Sequence, residues 1–327
     1  MDFELSDDQT ALRDGVRAFC EGRFPMEVVR GLADGGGVDR DRWVELAGLG
    51  VFSLRLPESD GGVGLGCADA VLVFEELGRA LVPGPLVWTH LAAGLVPGAA
   101  EGAVVVGGME RDDPSGLVEH PGGCDRLLVL DDDGVWLVDT AELALAPVAA
   151  PLDPLTPVAR LRAPLPQGER LAGAGGAAAL RRQGAALAAA QLLGIAEAAT
   201  DLAVAYARER VQFGRPIGAF QALKHLMADM FIRTELARAA VYAAGVTLDD
   251  PVVGSVPRAV AAAKLTANEA AEATTKACIQ VHGGMGYTWE VDAHLLLKRA
   301  YALAPAFAST DDCAEIVAAE LATTAPA

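Results

Sequence analysis

The stretch Arg208-Glu-Arg-Val-Gln-Phe-Gly-Arg-Pro-Ile-Gly-Ala-Phe-Gln-Ala-Leu-Lys-His225 decides how the second half of the chain is read. An Ala-rich apolar run ends on Arg208 and Arg210, reverses through Gly214 and Pro216, and restarts at Gly218. Glycine and proline so placed punctuate a pair of helices. Two readings of the break are open. Arginines held there can fork onto phosphate oxygens, with the N–H groups of the next helix N-terminus aimed at the same anion. Alternatively, the segment is a charged helix end in which Phe213 and Phe220 plug the core.

Working outward, apolar residues recur at helical spacing near residues 177–210, 218–244 and 256–281, and again from Asp292 to the C-terminus in two pieces. Short connections between long helices predict an antiparallel bundle. A second break, Gln280-Val-His-Gly-Gly-Met-Gly-Tyr-Thr-Trp-Glu290, carries three glycines that let backbone approach something flat or anionic. No strand precedes it, so it is not a Rossmann fingerprint. His282 within it reads either as an acid–base or ligand group or as a hydrogen-bonded structural residue.

Toward the N-terminus the pattern stays helical from Ser6 to about Pro97. Ser6 and Gln9 form a capping-box pair, a helix is expected over residues 39–49 with Gly50 as its stop, and another over 68–81 before Pro83-Gly-Pro85. Between the helical parts lie short β-type runs at 104–106, 127–130 and 135–139. Asp131-Asp-Asp-Gly134 supplies a hairpin turn between the last two and reads as a solvated turn, not a metal site. The stretch on to Pro166 has weak periodicity. The expected organisation is therefore an N-terminal helical domain (1–100), a small middle β-domain (101–170) and a C-terminal helical bundle (171–327).

Composition limits the function. The 327 residues are 52% hydrophobic but only 5% aromatic, which favours close-packed helices over an aromatic-rich sandwich. A net charge of −18 argues against nucleic acid as partner while leaving room for an anionic cofactor met by a few placed arginines. Cys20, Cys67, Cys124, Cys278 and Cys313 show no paired or metal spacing, and the five histidines are dispersed, so no metal site is expected. The acidic start is no signal peptide, and the apolar run 184–199, interrupted by Gln191 and Glu197, is too short for a membrane span. A soluble, cytoplasmic protein is expected.

Taken in order, MDFELSDDQTALRDGVRAF, LPESDGGVGLG, FEELGRALVPGP, RERVQFGRPIGAFQALKHLMADM and IQVHGGMGYTWEVDAHLLLKRA resemble the acyl-CoA dehydrogenase family over nearly the whole chain. The resemblance implies a mainly α fold: N-terminal helices, a middle β-domain and a C-terminal four-helix bundle. It also implies FAD-dependent α,β-dehydrogenation of an acyl-CoA thioester, in which a glutamate removes the α-proton and the β-hydride passes to the flavin. Electron-transfer flavoprotein is the implied acceptor. In such enzymes the two glycine-broken segments of one subunit hold the FAD of its neighbour. Here that assigns Arg210, Gln212, Phe213 and Gln221, then Gln280, Gly283 and Gly284.

The chain departs from the family where the chemistry lies. Counting along the family pattern places Ala308 and Gly184 at the two positions where the base glutamate stands, and neither can take a proton. The middle region is short and lacks the segments that line the flavin ring. Intact helical patterning with a missing site resembles the short partner subunits of heteromeric acyl-CoA dehydrogenases of actinobacterial sterol degradation, as in an α2β2 assembly with a larger catalytic subunit. The competing readings are a self-sufficient homo-oligomer using a displaced base (Glu197, Glu290 or Glu315), or a non-enzymatic scaffold that has lost FAD.

Overall fold

The computed structural model describes residues 4–34 and 37–324. The chain divides into two compact units, one made of residues up to 21, 71–82 and 185 onward, the other of residues 22–70 and 83–184. The helices are α1 (Asp7–Arg23), α2 (Met26–Asp34), α3 (Arg40–Gly48), α4 (Cys67–Arg79), α5 (Leu86–Ala92), α6 (Ala174–Glu209), α7 (Gln221–Asp249), α8 (Val256–His282), α9 (Ala293–Leu303) and α10 (Thr310–Thr324). The strands are β1 (Val106–Glu110), β2 (Leu117–Glu119), β3 (Arg126–Leu130), β4 (Gly134–Asp139), β5 (Leu145–Pro147), β6 (Val158–Leu161), β7 (Glu169–Gly173), β8 (Val211–Gln212) and β9 (Arg215–Pro216).

In the first unit, the expected capping box starts α1: the Gln9 N–H donates to Ser6 Oγ at 3.1 Å and the Ser6 N–H to Gln9 Oε1 at 3.2 Å. α7 packs along α8, which also meets α9 and α10. Alanine fills the buried faces of α6 and α8, so their neighbours approach closely. α7 begins at Gln221, not Gly218, because residues 217–219 form a 3-10 turn first, and it runs on to Asp249. By length and composition α6 is long and apolar enough to cross a membrane, contrary to the sequence expectation, yet 72% of its most apolar window is buried inside the protein. It is a core helix.

This unit also buries a knot of charge. Glu75 and Glu76 on α4 are 0% and 1% exposed. Arg17 forks onto Glu76 at 2.6 and 2.9 Å. Arg238 pairs with Glu75, whose other oxygen accepts the Tyr242 hydroxyl at 2.8 Å. Glu197 lies between Arg79 (3.3 Å), Arg238 (3.5 Å) and Arg17 (3.7 Å). Burial pushes the Glu75 carboxyl up to about 7; Arg238 and Tyr242 pull it down, while Glu197 and Glu76 add to the rise.

The unfolded chain releases the Glu75 proton in the ordinary carboxylate range, whereas the folded unit holds it until about pH 7. The stability this proton contributes is full below the ordinary range and is lost as pH rises through about 7. Urea unfolding of wild type and Glu75→Gln between about pH 5 and 8 should therefore show the variant gaining on wild type with pH, by on the order of 1–3 kcal/mol. A flat difference would show that Glu75 is ionised throughout.

In the second unit, α3 forms as expected, with Asp39 Oδ1 accepting from the Asp41 and Arg42 N–H groups and Gly50 at φ +89 beyond its end. A four-stranded sheet runs β1-β3-β4-β7, with β1 parallel to β3 and the other pairs antiparallel. The expected turn joins β3 to β4, with Asp131 accepting from the Gly134 N–H at 2.8 Å. Two features depart from expectation. β1 starts at Val106, where the run expected over 104–106 ends, and continues through Gly107 and Gly108; a Cβ on Gly108 would meet the Trp88 ring at 2.2 Å. The weakly periodic stretch supplies β5 and β6, which join β2 in a second sheet, β2-β6-β5.

Candidate cofactor site

The end of α6 is closed by the Arg210 N–H donating to Tyr206 O at 2.9 Å, and the Ile217 N–H then returns to Arg210 O at 2.8 Å. Between them β8 and β9 pair Gln212 with Arg215 around a two-residue tip, Phe213 and Gly214, with φ of +54° and +76°. Positive φ at both positions is the turn that suits a tight hairpin. Glycine adopts it freely; an aromatic residue does so at a cost on the order of 1–3 kcal/mol. Phe213 is nevertheless 90% exposed, so it plugs no core. Its ring meets Phe220 edge-on at 6.0 Å, and Arg215 lies over Phe220 at 4.2 Å. Gln212 turns back to its neighbour's carbonyl, and Gln221 is exposed at the first residue of α7.

The second glycine segment follows the end of α8. Gly283 takes φ +61 and ψ −137 there, and a 3-10 turn runs over Gly283–Tyr287. Gly286 is needed for packing, since a Cβ would meet Ile279 O at 2.7 Å. Nothing lies within 4 Å of a Cβ on Gly283 or Gly284, so this backbone opens outward beside exposed Gln280. His282 is buried, donates through Nδ1 to Cys278 O at 2.8 Å, and stacks on Tyr206 with ring centres 4.2 Å apart. It is a structural clamp. Because Tyr206 stands four residues before Arg210, the stack brings both segments to one end of the bundle.

This end carries arginines without a counter-ion. Among the described residues, Arg13, Arg17, Arg23, Arg40, Arg79 and Arg238 pair with carboxylates. Among the same residues, Arg208, Arg210 and Arg215 have no carboxylate partner within ion-pair distance. Unpaired guanidiniums, an outward Gly–Gly backbone and a strained, solvent-facing phenyl ring are the donor set for an anionic, flat-ringed group approached from outside the chain. The residues assigned from sequence thus fit the pyrophosphate end of FAD. Nothing comparable among them supplies a flavin-ring pocket.

Neither position assigned to the base from the family resemblance holds an acid. Gly184 is buried in α6. Ala308 is half-buried in the turn between α9 and α10, after Phe307 at φ +63. Sequence reasoning gave no sign of how firmly that turn is built. The buried Lys264 ammonium donates to Ala304 O at 2.6 Å and Asn268 Oδ1 at 2.9 Å, and Asn268 Nδ2 to Thr310 Oγ1 at 3.0 Å. Burial lowers the Lys264 pKa to about 8. Of the displaced carboxylates, Glu197 is tied into the ionic knot, whereas Glu290 and Glu315 are exposed. Among the described residues no group of His, Cys, Asp and Glu could hold a metal, and all five cysteines are buried.

The acyl-CoA dehydrogenase N-terminal domain profile matches residues 6–101 and the C-terminal domain profile residues 177–321. The chain belongs to the acyl-CoA dehydrogenase family. Acyl-CoA dehydrogenase IpdE2 of Mycobacterium tuberculosis is 38% identical over 294 residues, 85% of each chain. Acyl-CoA dehydrogenase FadE34 of the same organism is 37% identical over 338 residues, covering 91% of this chain but 46% of FadE34, so this chain spans about half its length. A chain in the crystal structure of the ChsE4–ChsE5 complex from M. tuberculosis shares the fold, with a TM-score of 0.83 at 24% identity and full coverage of both chains.

Proposed function

We propose that this chain is the partner subunit without a base in a heteromeric, FAD-dependent acyl-CoA dehydrogenase of lipid or sterol catabolism in the cytoplasm. The observation that carries the reading is the pairing of an anion-directed bundle end with base positions occupied by Gly184 and Ala308. When bound, FAD takes up the hydride that leaves the acyl β-carbon. In this reading Arg210, Gln280 and the Gly283–Gly284 backbone would hold the FAD pyrophosphate, and Gln212, Phe213 and Gln221 would lie beside its ADP moiety. The catalytic subunit brings the base and the flavin-ring pocket. Support comes from the two-component ChsE4–ChsE5 complex and from FadE34, about half of which has no counterpart in this chain. Electron-transfer flavoprotein is the expected acceptor.

Assembly would also cover an open face. On α7, Phe231, Ile232 and Leu236 are 59%, 53% and 63% exposed, a stripe one helix turn wide that suits a partner helix. An obligate interface of this kind buries more than about 2,000 Å². Co-expressed with its catalytic subunit, the chain should elute as one yellow complex, and Leu236→Arg should dissociate it while the helical circular dichroism is kept. A monodisperse monomer by light scattering in the presence of the partner would sink the proposal.

The flavin contact is tested separately. Arg210→Ala should weaken flavin retention in the assembled complex by about 2–4 kcal/mol, as for a desolvated charge losing its partner. Arg208→Ala and Arg215→Ala should matter less. Equal flavin occupancy in Arg210→Ala and wild type would remove Arg210 from the site.

A further inference from the structure

We propose that the Arg55 guanidinium is an anion receptor for an acyl-CoA, taking a carboxylate carried by the acyl group or a phosphate of the CoA. Arg55 belongs to the second unit, which contains none of the residues assigned to FAD. Its Nη1 donates to Gln183 Oε1 at 3.0 Å. Its Nε is buried with no hydrogen-bond partner, and no carboxylate pairs with the side chain among the described residues. The chain carries 44 acidic residues against 26 basic ones, so a half-buried guanidinium without a counter-ion is not for want of acids. Taking a cation partly out of water unpaired lowers stability, and a group kept in that state is a candidate for use by a ligand.

The surroundings hold Arg55 in place without neutralising it. Its neighbours Leu54 and Leu56 bind the loop that follows: the Leu65 N–H donates to Leu54 O at 3.0 Å and the Gly64 N–H to Leu56 O at 2.8 Å. A Cβ on Gly62 would meet Leu56 O at 2.1 Å, so this loop closes tightly. His90, the nearby titratable group, donates to Val51 O at 2.8 Å; burial lowers its pKa to about 4, so it is neutral and offers no negative charge. Gln183, which orients the guanidinium, directly precedes Gly184 on α6, one of the two positions where the family base would stand. A rigid, oriented and unneutralised cation at that helix turn is preorganised for an anionic oxygen group.

The inference rests on the acyl-CoA reading above for the identity of the ligand. The test uses the assembled complex, wild type and Arg55→Met, titrated calorimetrically with butyryl-CoA, glutaryl-CoA and 3′-dephospho-butyryl-CoA. The expected result is a loss of about tenfold or more in the variant. Loss confined to glutaryl-CoA identifies an acyl carboxylate. Loss for butyryl-CoA and glutaryl-CoA, but not the dephospho form, identifies the CoA phosphate. In either case the ligand-free complex should have a higher Tm in Arg55→Met, because an apolar side chain then replaces the unpaired charge. A lower Tm would mark Arg55 as a strut for Gln183 and overturn the inference. Losses below about threefold for every thioester would overturn it too, leaving the proposed function standing, whereas no binding of any thioester would sink both.

Discussion

Purified alone, the chain is expected to turn over no acyl-CoA with an artificial electron acceptor. Abstraction of the α-proton needs a carboxylate within hydrogen-bond reach of that carbon. Gly184 and Ala308 have none, and Glu197 is already committed to Arg79, Arg238 and Arg17. In the assembled enzyme, changing the catalytic subunit's base glutamate to glutamine should lower turnover by about a hundredfold or more. Glu290→Gln and Glu315→Gln in this chain should leave it nearly unchanged. Dehydrogenation by the homogeneous chain would overturn the partner-subunit reading and direct attention to those two exposed carboxylates.

Gly194→Val is expected to lose on the order of 3 kcal/mol or more of stability in urea unfolding. α4 and α6 cross backbone to backbone through reciprocal glycines. A Cβ on Gly194 would sit 1.9 Å from Glu75 O, and one on Gly78 would sit 2.1 Å from Gln191 O. A branched side chain must push the helices apart, and the Glu75–Arg238 pair opens with them. Gly175→Ala, in the same helix with nothing within 4 Å of its added Cβ, is the control and should be neutral or slightly stabilising. A Tm for Gly194→Val within a degree or two of wild type would show that the crossing is looser than described.

These two expectations draw on different information. The assignment of Gly184 and Ala308 to the base positions draws on a motif and a count along the helices alone. The glycine crossing was not legible in the sequence, because nothing local separates a contact glycine from any other glycine in an Ala-rich run. The candidate cofactor site was legible in part. Arg210, Gln212, Phe213, Gln221, Gln280, Gly283 and Gly284 could be named, but their convergence through the Tyr206–His282 stack, and the outward strain at Phe213, needed coordinates. The ionic knot left one unread signal: α4 is buried on every face from Ala70 to Gly78, and Glu75 and Glu76 are its charged residues there. A helix apolar all round that carries adjacent acids must bring them partners from elsewhere.

By itself the sequence determined what depends on neighbours within a few residues: the helical periods, the Ser6–Gln9 cap, the Asp131–Gly134 turn and the breaks at Gly214 and Gly283. Tertiary structure decided what depends on residues far apart in the chain. Gly107 and Gly108 lie in a strand because β1 pairs with β3, the weakly periodic stretch yields β5 and β6 because they pair up beside the distant β2, and burial of α4 raises the Glu75 carboxyl to about 7 against the pull of Arg238 and Tyr242. Local propensity is a few tenths of a kcal/mol per residue, whereas burial and partner choice are worth several, so where the two disagree the packing prevails.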